Sequence, residues 1–569
     1  MEHLTGNRLN MPILPVTLNA KAGSCGTATA CLLIAFTALY CTFQPVVRMA
    51  LPVSHDIGFH LFQAGQFAGA LGSGTIIPHW LGGANNGYGS PNFIFYSPLS
   101  YYFAASLNLL VGSIPVSMVI STWSAFFFSG IAMSCAAARL SGREGGLFAA
   151  ILYQVLPFHL LDLYARGTFA ELFAFAWFPL VILCTHGIFT APVKRAYFSG
   201  LSLSYAGLIL THLVSGFIFT WVLGAYLLFN YHLHKDGKAF RLALFALAVG
   251  LGLSSFYLLP AVLERSFVHI DYIVKCSVGD YRQNFLFLLD GLTQGLRDFR
   301  LMLHAATLLE LALFLALVLA LSRNVKKKDL SQHSFFIMLF LIAFFLTIPL
   351  SQPVWGLVPG LPTLQFPWRW ISMMELSLCF LLGRFISLRE AGPGAVSGRW
   401  SRTVFYCLGA TLLVSLVIVV RSDKTHPKDY AGYSVALEYT PKTVSDPDQL
   451  LAQKHVRVVT LSGVASSAIS KWDAERRSVE VNALTPSMLR IGTSFYPGWE
   501  AEVDGVKTPV GIEKQSGAML VRVPQGRHTL TLNFVDTPVR RLAKYLSLLS
   551  LATLLLYCLR QYVIGGFND

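Results

Sequence analysis

Along the 569 residues, long apolar runs alternate with short polar links. The runs lie near 27–47, 93–112, 114–138, 146–163, 170–190, 197–212, 214–232, 240–263, 301–322, 334–350, 370–388, 403–420 and 542–562. At 1.5 Å of rise per residue, about 20 apolar residues cover the hydrocarbon core of a bilayer, so most of these runs predict spanning helices.

The basic residues between them set the orientation, because Lys and Arg accumulate on the cytoplasmic side. Clusters occur at Arg8 and Lys21, Arg139 and Arg143, Lys194 and Arg195, Lys235 to Arg241, Arg323 to Lys328, and Arg389 to Arg402. Every second loop is then cytoplasmic only if either 93–112 or 114–138 fails to cross. The run at 93–112 opens PNFIFYSPLSYYF, with two prolines in a dense aromatic cluster. It reads as a helix along the outer interface or a re-entrant segment, which leaves about 12 spans with both termini inside.

Residues 422–540 follow a different pattern. RRSVEVNAL, SMLRIGTSF, AMLVRV and HTLTLNF alternate with a period of two, and DG at Asp504-Gly505 and QG at Gln525-Gly526 supply turns. Such alternation between turn residues predicts antiparallel strands. The expected fold is a mainly α polytopic membrane protein with a small C-terminal all-β extracytoplasmic domain. Residues 1–421 form the polytopic domain, with outer-face loops 48–113 and 264–300. Residues 422–540 form the β-rich domain, and 541–569 a final span and short cytoplasmic tail.

Composition agrees with this picture. The chain is 54% hydrophobic and only 13% charged, about half the charge of a soluble domain. Its net charge of +14 reads as loop charge bias, so no nucleic-acid partner is expected. Cys31, Cys135, Cys184, Cys379, Cys407 and Cys558 fall inside apolar runs, Cys276 falls in an outer loop, and no pair has CxxC spacing. Neither a disulfide framework nor a zinc site is expected. The first apolar run lacks a small-residue cleavage site and is expected to be a retained helix.

The candidate chemistry gathers at the outer helix ends. In LPVSHDIGFHLFQ, Asp56 is flanked by His55 and by His60, one helical turn on. The carboxylate is either a general base or the cap of a short helix. His79 and Trp80 could anchor the loop at the interface. The glycine run Gly82 to Gly89 makes a tight loop without the GK[ST] of a phosphate loop. In DLYARGTFAEL, Arg166 either holds a phosphate or pairs with Glu171. His212 ends a helix in THLVSG. The loop at 264–300 holds Glu264, Arg265, Asp271, Lys275, Asp280 and Arg282, and is long enough to be a lid. In LQFPWRW, Arg369 stands between Trp368 and Trp370, which read as interface anchors around a phosphate ligand. Tyr88 and Asn92 of GYGSPNFIFY complete the substrate-binding candidates. Asp56, His60 and Glu171 are the catalytic candidates, and Arg166, His212 and Arg369 join Tyr88 and Asn92 in binding.

HDIGFHLFQ, GYGSPNFIFYSPLSYY, YARGTFAELFAFAWFPL, LQFPWRW, EYTPK and SFYPGWEAEVDG with PQGRHTLTLNF resemble the bacterial 6-pyruvoyl-tetrahydropterin synthase-related, YfhO-like membrane proteins. The resemblance covers nearly the whole chain. That family looks like the GT-C class of glycosyltransferases. It implies a polyprenyl-phosphate sugar donor, a glycan or lipid acceptor, the lipid bilayer as partner, and a location in the bacterial cytoplasmic membrane with the site outside. A carboxylate in the first outer loop is essential in that class, and Asp56 takes that position. The first loop departs from the pattern in having no DxD, so no metal ligand is assigned and a divalent metal is left open. A flippase for lipid-linked saccharides and a non-catalytic assembly subunit are the competing expectations.

Overall fold

The computed structural model describes residues 26–272, 279–288, 294–324, 332–390, 399–421, 437–452 and 455–565. The apolar runs fold as helices, since in hydrocarbon only intrahelical bonds satisfy the backbone. Among the described residues, seven helices are long and apolar enough to cross a membrane, or nine if each of two bent pairs is one span. The bent pairs are Gly237–Leu253 with Ser255–Leu263 and Ser334–Thr347 with Pro349–Leu357, bent by 73° and 90°.

The shortfall from the expected twelve has local causes. Ile114–Val155 comprises two helices that meet at Gly142, whose φ 77° and ψ 172° are not helical. Gln154 Nε2 donates to the Phe126 carbonyl at 2.7 Å across 28 positions. In a straight helix those residues would lie about 42 Å apart. The chain therefore reverses near Gly142 into an antiparallel hairpin, two helices rather than one. The remaining difference is Thr27–Cys41 and Arg195–Thr211, helices of 15 and 17 residues that fall short of a full span.

The run at 93–112 divides into Asn92–Phe95 and Leu99–Val111, the second with 13 residues. Neither is long enough to cross. Small residues let the bundle close. A Cβ on Gly145 would press on the Gly383 carbonyl, so the hairpin meets the helix Ile371–Glu390 backbone to backbone.

The strands form two antiparallel sheets. They are β1 (Val458–Ser462), β2 (Ala465–Trp472), β3 (Arg476–Ala483), β4 (Ser487–Ser494), β5 (Trp499–Val503), β6 (Val506–Thr508), β7 (Gly511–Ile512), β8 (Ala518–Val523) and β9 (Gly526–Phe534). One sheet runs β1-β4-β8-β7 and the other β2-β3-β9-β5-β6. Val479 and Val481 of β3, Leu489 and Ile491 of β4, Val521 of β8, and Leu530 and Leu532 of β9 form a common core. Asp504 and Gly505, both at positive φ, turn β5 into β6 as a two-residue hairpin requires. Residues 422–436 of the expected β-rich stretch lie outside the described residues.

The β sheets are locked to the loops of the helical part. Glu475 accepts the backbone N–H groups of His79 and Trp80 at 2.5 and 3.1 Å. Trp80 is buried against Trp499 and Phe534. This corrects the interface-anchor expectation: the indole supplies core to the β domain. Glu264 receives Arg540 at 2.8 Å, the Tyr496 hydroxyl at 3.0 Å and the Thr537 hydroxyl at 2.7 Å. Val268 pairs with Pro441 in an antiparallel bridge. Residues 79–95, 264–271, 437–444 and the sheets thus share one side of any membrane the helices cross. The bridge also pins the start of the expected lid at 264–300. Lys275 and Cys276 of that loop lie outside the described residues.

Candidate functional site

Two segments fix Asp56. The His55 and Asp56 amides donate to the carbonyls of Ala165 and Arg166 at 3.1 and 2.8 Å. Gly167 follows at φ 69°, and a Cβ there would strike Ser54 and Ile57. Only glycine lets the first loop sit so close to the turn after Asp162–Arg166. Asp56 precedes the helix Ile57–Gly72, but its carboxylate makes no capping hydrogen bond. Of the two alternatives read from sequence, capping is not the one realised. Asp56 is an exposed residue. Desolvation by surrounding side chains still pushes its carboxyl above the usual carboxylate range, against the pull of Arg166, His55 and Arg369.

Behind Asp56 lies a buried ion network. Arg166 pairs with Asp162, one turn back, and with Glu171 at 2.9 Å. Glu171 lies 3.9 Å from Arg369 Nε, which has no hydrogen-bond partner, while Arg369 Nη1 donates to the Leu364 carbonyl at 2.6 Å. His212 is within electrostatic reach of Glu171, Arg369 and Arg166. The structure thus brings Asp56, Arg166, Glu171, His212 and Arg369 together. With two carboxylates on it, Arg166 is fully engaged. These pairs tie the Asp162–Arg166 turn to the start of the helix that carries Glu171.

A cleft of 590 Å³ opens beside this network. Tyr96, Tyr257, Tyr439 and His212 line it, with Arg265 and Lys442. Asp56 lies within electrostatic reach of Tyr96 and Glu438. The Tyr257 hydroxyl donates to the Phe95 carbonyl at 2.8 Å, and Tyr439 stacks on Phe95 at 5.8 Å. Arg265 and Lys442 are exposed and, among the described residues, form no ion pair.

A family model described as the 6-pyruvoyl-tetrahydropterin synthase related domain, a membrane protein, matches residues 93–423. The chain belongs to that family. A curated relative, an uncharacterized protein from Lactococcus lactis, is 26% identical over 240 residues. The match covers 40% of this chain and 38% of that protein. Among solved structures, the Archaeoglobus fulgidus oligosaccharyltransferase is similar over 70% of this chain and 56% of its own, at 11% identity and a TM-score of 0.48. The mycobacterial arabinofuranosyltransferase AftD is similar over 70% of this chain and 26% of its own, at 16% identity and 0.45. ArnT from Cupriavidus metallidurans, bound to undecaprenyl phosphate, is similar over 74% and 79%, at 14% identity and 0.42. The chain therefore spans a little over half the length of the oligosaccharyltransferase and well under half that of the curated relative.

The other candidates of this family member fall elsewhere. His60 is buried behind the site, its Nδ1 2.7 Å from the Tyr101 hydroxyl, and burial pulls its pKa down to about 3. Its ring lies 5.8 Å from that of Tyr96, one layer behind the cleft wall. Tyr88 is fully buried beside Val444 and Leu450, edge-on to His455 at 4.9 Å. It packs under the β domain and does not reach the network. Asn92 is buried with both side-chain polar atoms unpartnered. Trp368 and Trp370 are buried, Trp368 under Arg300 at 4.0 Å. They pack inside the bundle, where interface anchoring was expected.

The sequence reading passed over Asp162 within DLYAR, though its spacing to Arg166 is one helical turn. It also left Glu438 and Tyr439 of EYTPK without a role. Tyr96 was visible only as one aromatic among many. Glu310 and Glu375 meet at mid-bundle, and Glu375 accepts the Phe158 amide at 2.8 Å, which caps the helix start there. No group of three metal-ligating side chains occurs among the described residues. Near Asp56, Asp162 and Glu171 are paired with Arg166, while Glu438 is within electrostatic reach of Asp56.

Proposed function

We propose that this protein is a membrane glycosyltransferase of the inverting type. It takes a sugar from a polyprenyl-phosphate donor and passes it to an envelope glycan or lipid on the outer face of the bacterial cytoplasmic membrane. The observation that carries the reading is Asp56: an exposed residue whose carboxylate caps nothing, within electrostatic reach of the buried Arg369 and of Tyr96 on the wall of the tyrosine-lined cleft. The GT-C resemblance of the sequence motifs points the same way.

The lipid phosphate docks at the cleft, facing Arg265 and Lys442, with Arg369 behind. Arg369 carries an unpartnered Nε and is the better phosphate ligand than Arg166, whose fork is occupied. The acceptor hydroxyl binds at Asp56. Its oxygen attacks the anomeric carbon as the bond to the phosphate oxygen breaks. Asp56 takes the hydroxyl proton, and the phosphate leaves with the bonding pair. A raised carboxyl pKa suits this task, since a general base works best near the operating pH. Single displacement inverts the anomeric centre.

The test is transfer by purified protein in nanodiscs from a panel of polyprenyl-phosphate sugars. Asp56→Asn keeps the shape and removes the base, so turnover should fall roughly 10²- to 10⁴-fold. Near-normal transfer by that variant would remove Asp56 from the mechanism.

A further inference from the structure

A second cleft, of 440 Å³, lies between the helix Ile57–Gly72 and the β domain, apart from the tyrosine-lined one. That volume falls in the range of small-molecule sites. Its two walls differ in chemistry. One is glycine-rich, with Gly65, Gly69, Gly82, Gly83 and Gly87 beside Gln66 and two small side chains. Gly87 is required by the backbone, at φ 94° and with a Cβ there meeting His455 at 2.9 Å, while a Cβ on Gly83 would only press on the flexible end of Gln66 at 3.0 Å. Gly69 has nothing within 4 Å of where its Cβ would stand, so packing alone does not account for it.

The opposite wall carries Trp472, Arg457 and Arg477. Trp472 is half-buried, with the Arg477 and Arg457 guanidiniums 4.7 and 5.4 Å from its ring centre. Arg477 also sits 5.2 Å from the Trp499 ring and is only 2% exposed. Its Nη1 reaches the Arg476 carbonyl, and its Nε has no partner. Among the described residues, no carboxylate lies within 4 Å of Arg477 or Arg457, and the nearby Asp473 is taken by Lys471 at 3.1 Å. Asp473, itself on the cleft wall, and Glu475 act on Arg477 only at longer range, its buried Nε stays unpartnered, and Arg457 repels it within the cleft. An anion entering the cleft would relieve both the missing partner and the repulsion. An aromatic ring beside exposed backbone suits a sugar: the ring takes the C–H face, and peptide groups with Gln66 take hydroxyls.

We propose that this cleft binds a saccharide bearing a carboxylate or phosphate group, with the anion at Arg477 and Arg457 and a sugar ring on Trp472. The site stands independently of sugar transfer, as a place where the β domain holds a glycan beside the first outer loop.

The test uses full-length protein in nanodiscs and isothermal titration calorimetry. The probes are an oligogalacturonate, a hexose phosphate, a neutral oligosaccharide of equal length, and inorganic phosphate. At least one anionic saccharide should bind at least tenfold tighter than both the neutral sugar and phosphate alone, and which one binds identifies the anion. Gly69→Leu puts a side chain into the open space and favours the helix. It should weaken that binding at least tenfold at unchanged melting temperature, as should Arg457→Gln on the exposed rim. Equal binding of neutral and anionic sugars, binding no tighter than phosphate, no binding at all, or full affinity in Gly69→Leu would overturn the proposal. Loss of transfer in Asp56→Asn with this binding intact would separate the two sites.

Discussion

Arg540→Met should release the β domain from the bundle. The Arg540 guanidinium is fully buried and makes bonds of 3.2 and 2.8 Å to Glu264, and its Nη2 also reaches the Pro497 carbonyl at 2.8 Å. Without it, Glu264 remains buried at 2% exposure with only the Tyr496 and Thr537 hydroxyls as donors. Breaking one side of a buried pair costs about 3–5 kcal/mol. At 1.4 kcal/mol per decade, the opening equilibrium of the domain should rise roughly 10²- to 4 × 10³-fold. Native-state proteolysis of purified protein reads that equilibrium when reclosing outpaces cleavage. Glu264→Gln with Arg540→Met removes both charges and should recover much of the loss, giving a coupling energy in the double-mutant cycle. If the two single effects merely add, or if Arg540→Met is cleaved at the wild-type rate, the clamp does not hold the domain.

The contact at Glu475 should depend on pH. Burial raises its carboxyl from the usual range to about 7, so its contribution is full below the unfolded value near 4.5 and is lost as pH rises through about 7. Proteolytic opening should increase over that window, and Glu475→Gln should flatten the increase; an unchanged profile would show that another group governs it. Gly145→Val should abolish the close approach to Gly383 and lower the melting temperature by several degrees in scanning fluorimetry. Single cysteines at the exposed Ser73 and Ser466, in a cysteine-free background, should both label from outside intact cells, and labelling of one alone would contradict the shared face.

The sequence disclosed most where one residue's environment is decided by its near neighbours. Apolar runs had to be helices, and the period of two in β3, β4, β8 and β9 had to make strands. Arg166, Glu171 and Arg369 stood out because ionisable groups at the ends of apolar runs need partners. Where the partner is distant, the pattern was silent. Tyr88 looked like a site residue, but the Ser494 amide bonds to its carbonyl and His455 packs on its ring, both from beyond residue 450. Trp80 and Trp368 carried the composition of interface anchors, and only tertiary packing shows that they are interior. Asp162 was hidden in an apolar stretch, where a polar residue one turn before an arginine was the sole sign.

The bridge between Val268 and Pro441 has a consequence for biosynthesis. Asp56 lies on a loop made early, yet Glu438, Tyr439 and Lys442 are made after most of the helices have been threaded into the bilayer. Trp80 and the Glu475 contact wait longer still, and Glu264 stays uncovered until Arg540 emerges. The nascent chain therefore carries an open, unfinished pocket through nearly the whole of its insertion. Contacts of such long sequence separation form slowly. The last helix works as a latch, and a ribosome that stops short of it releases a bundle whose pocket has never been closed.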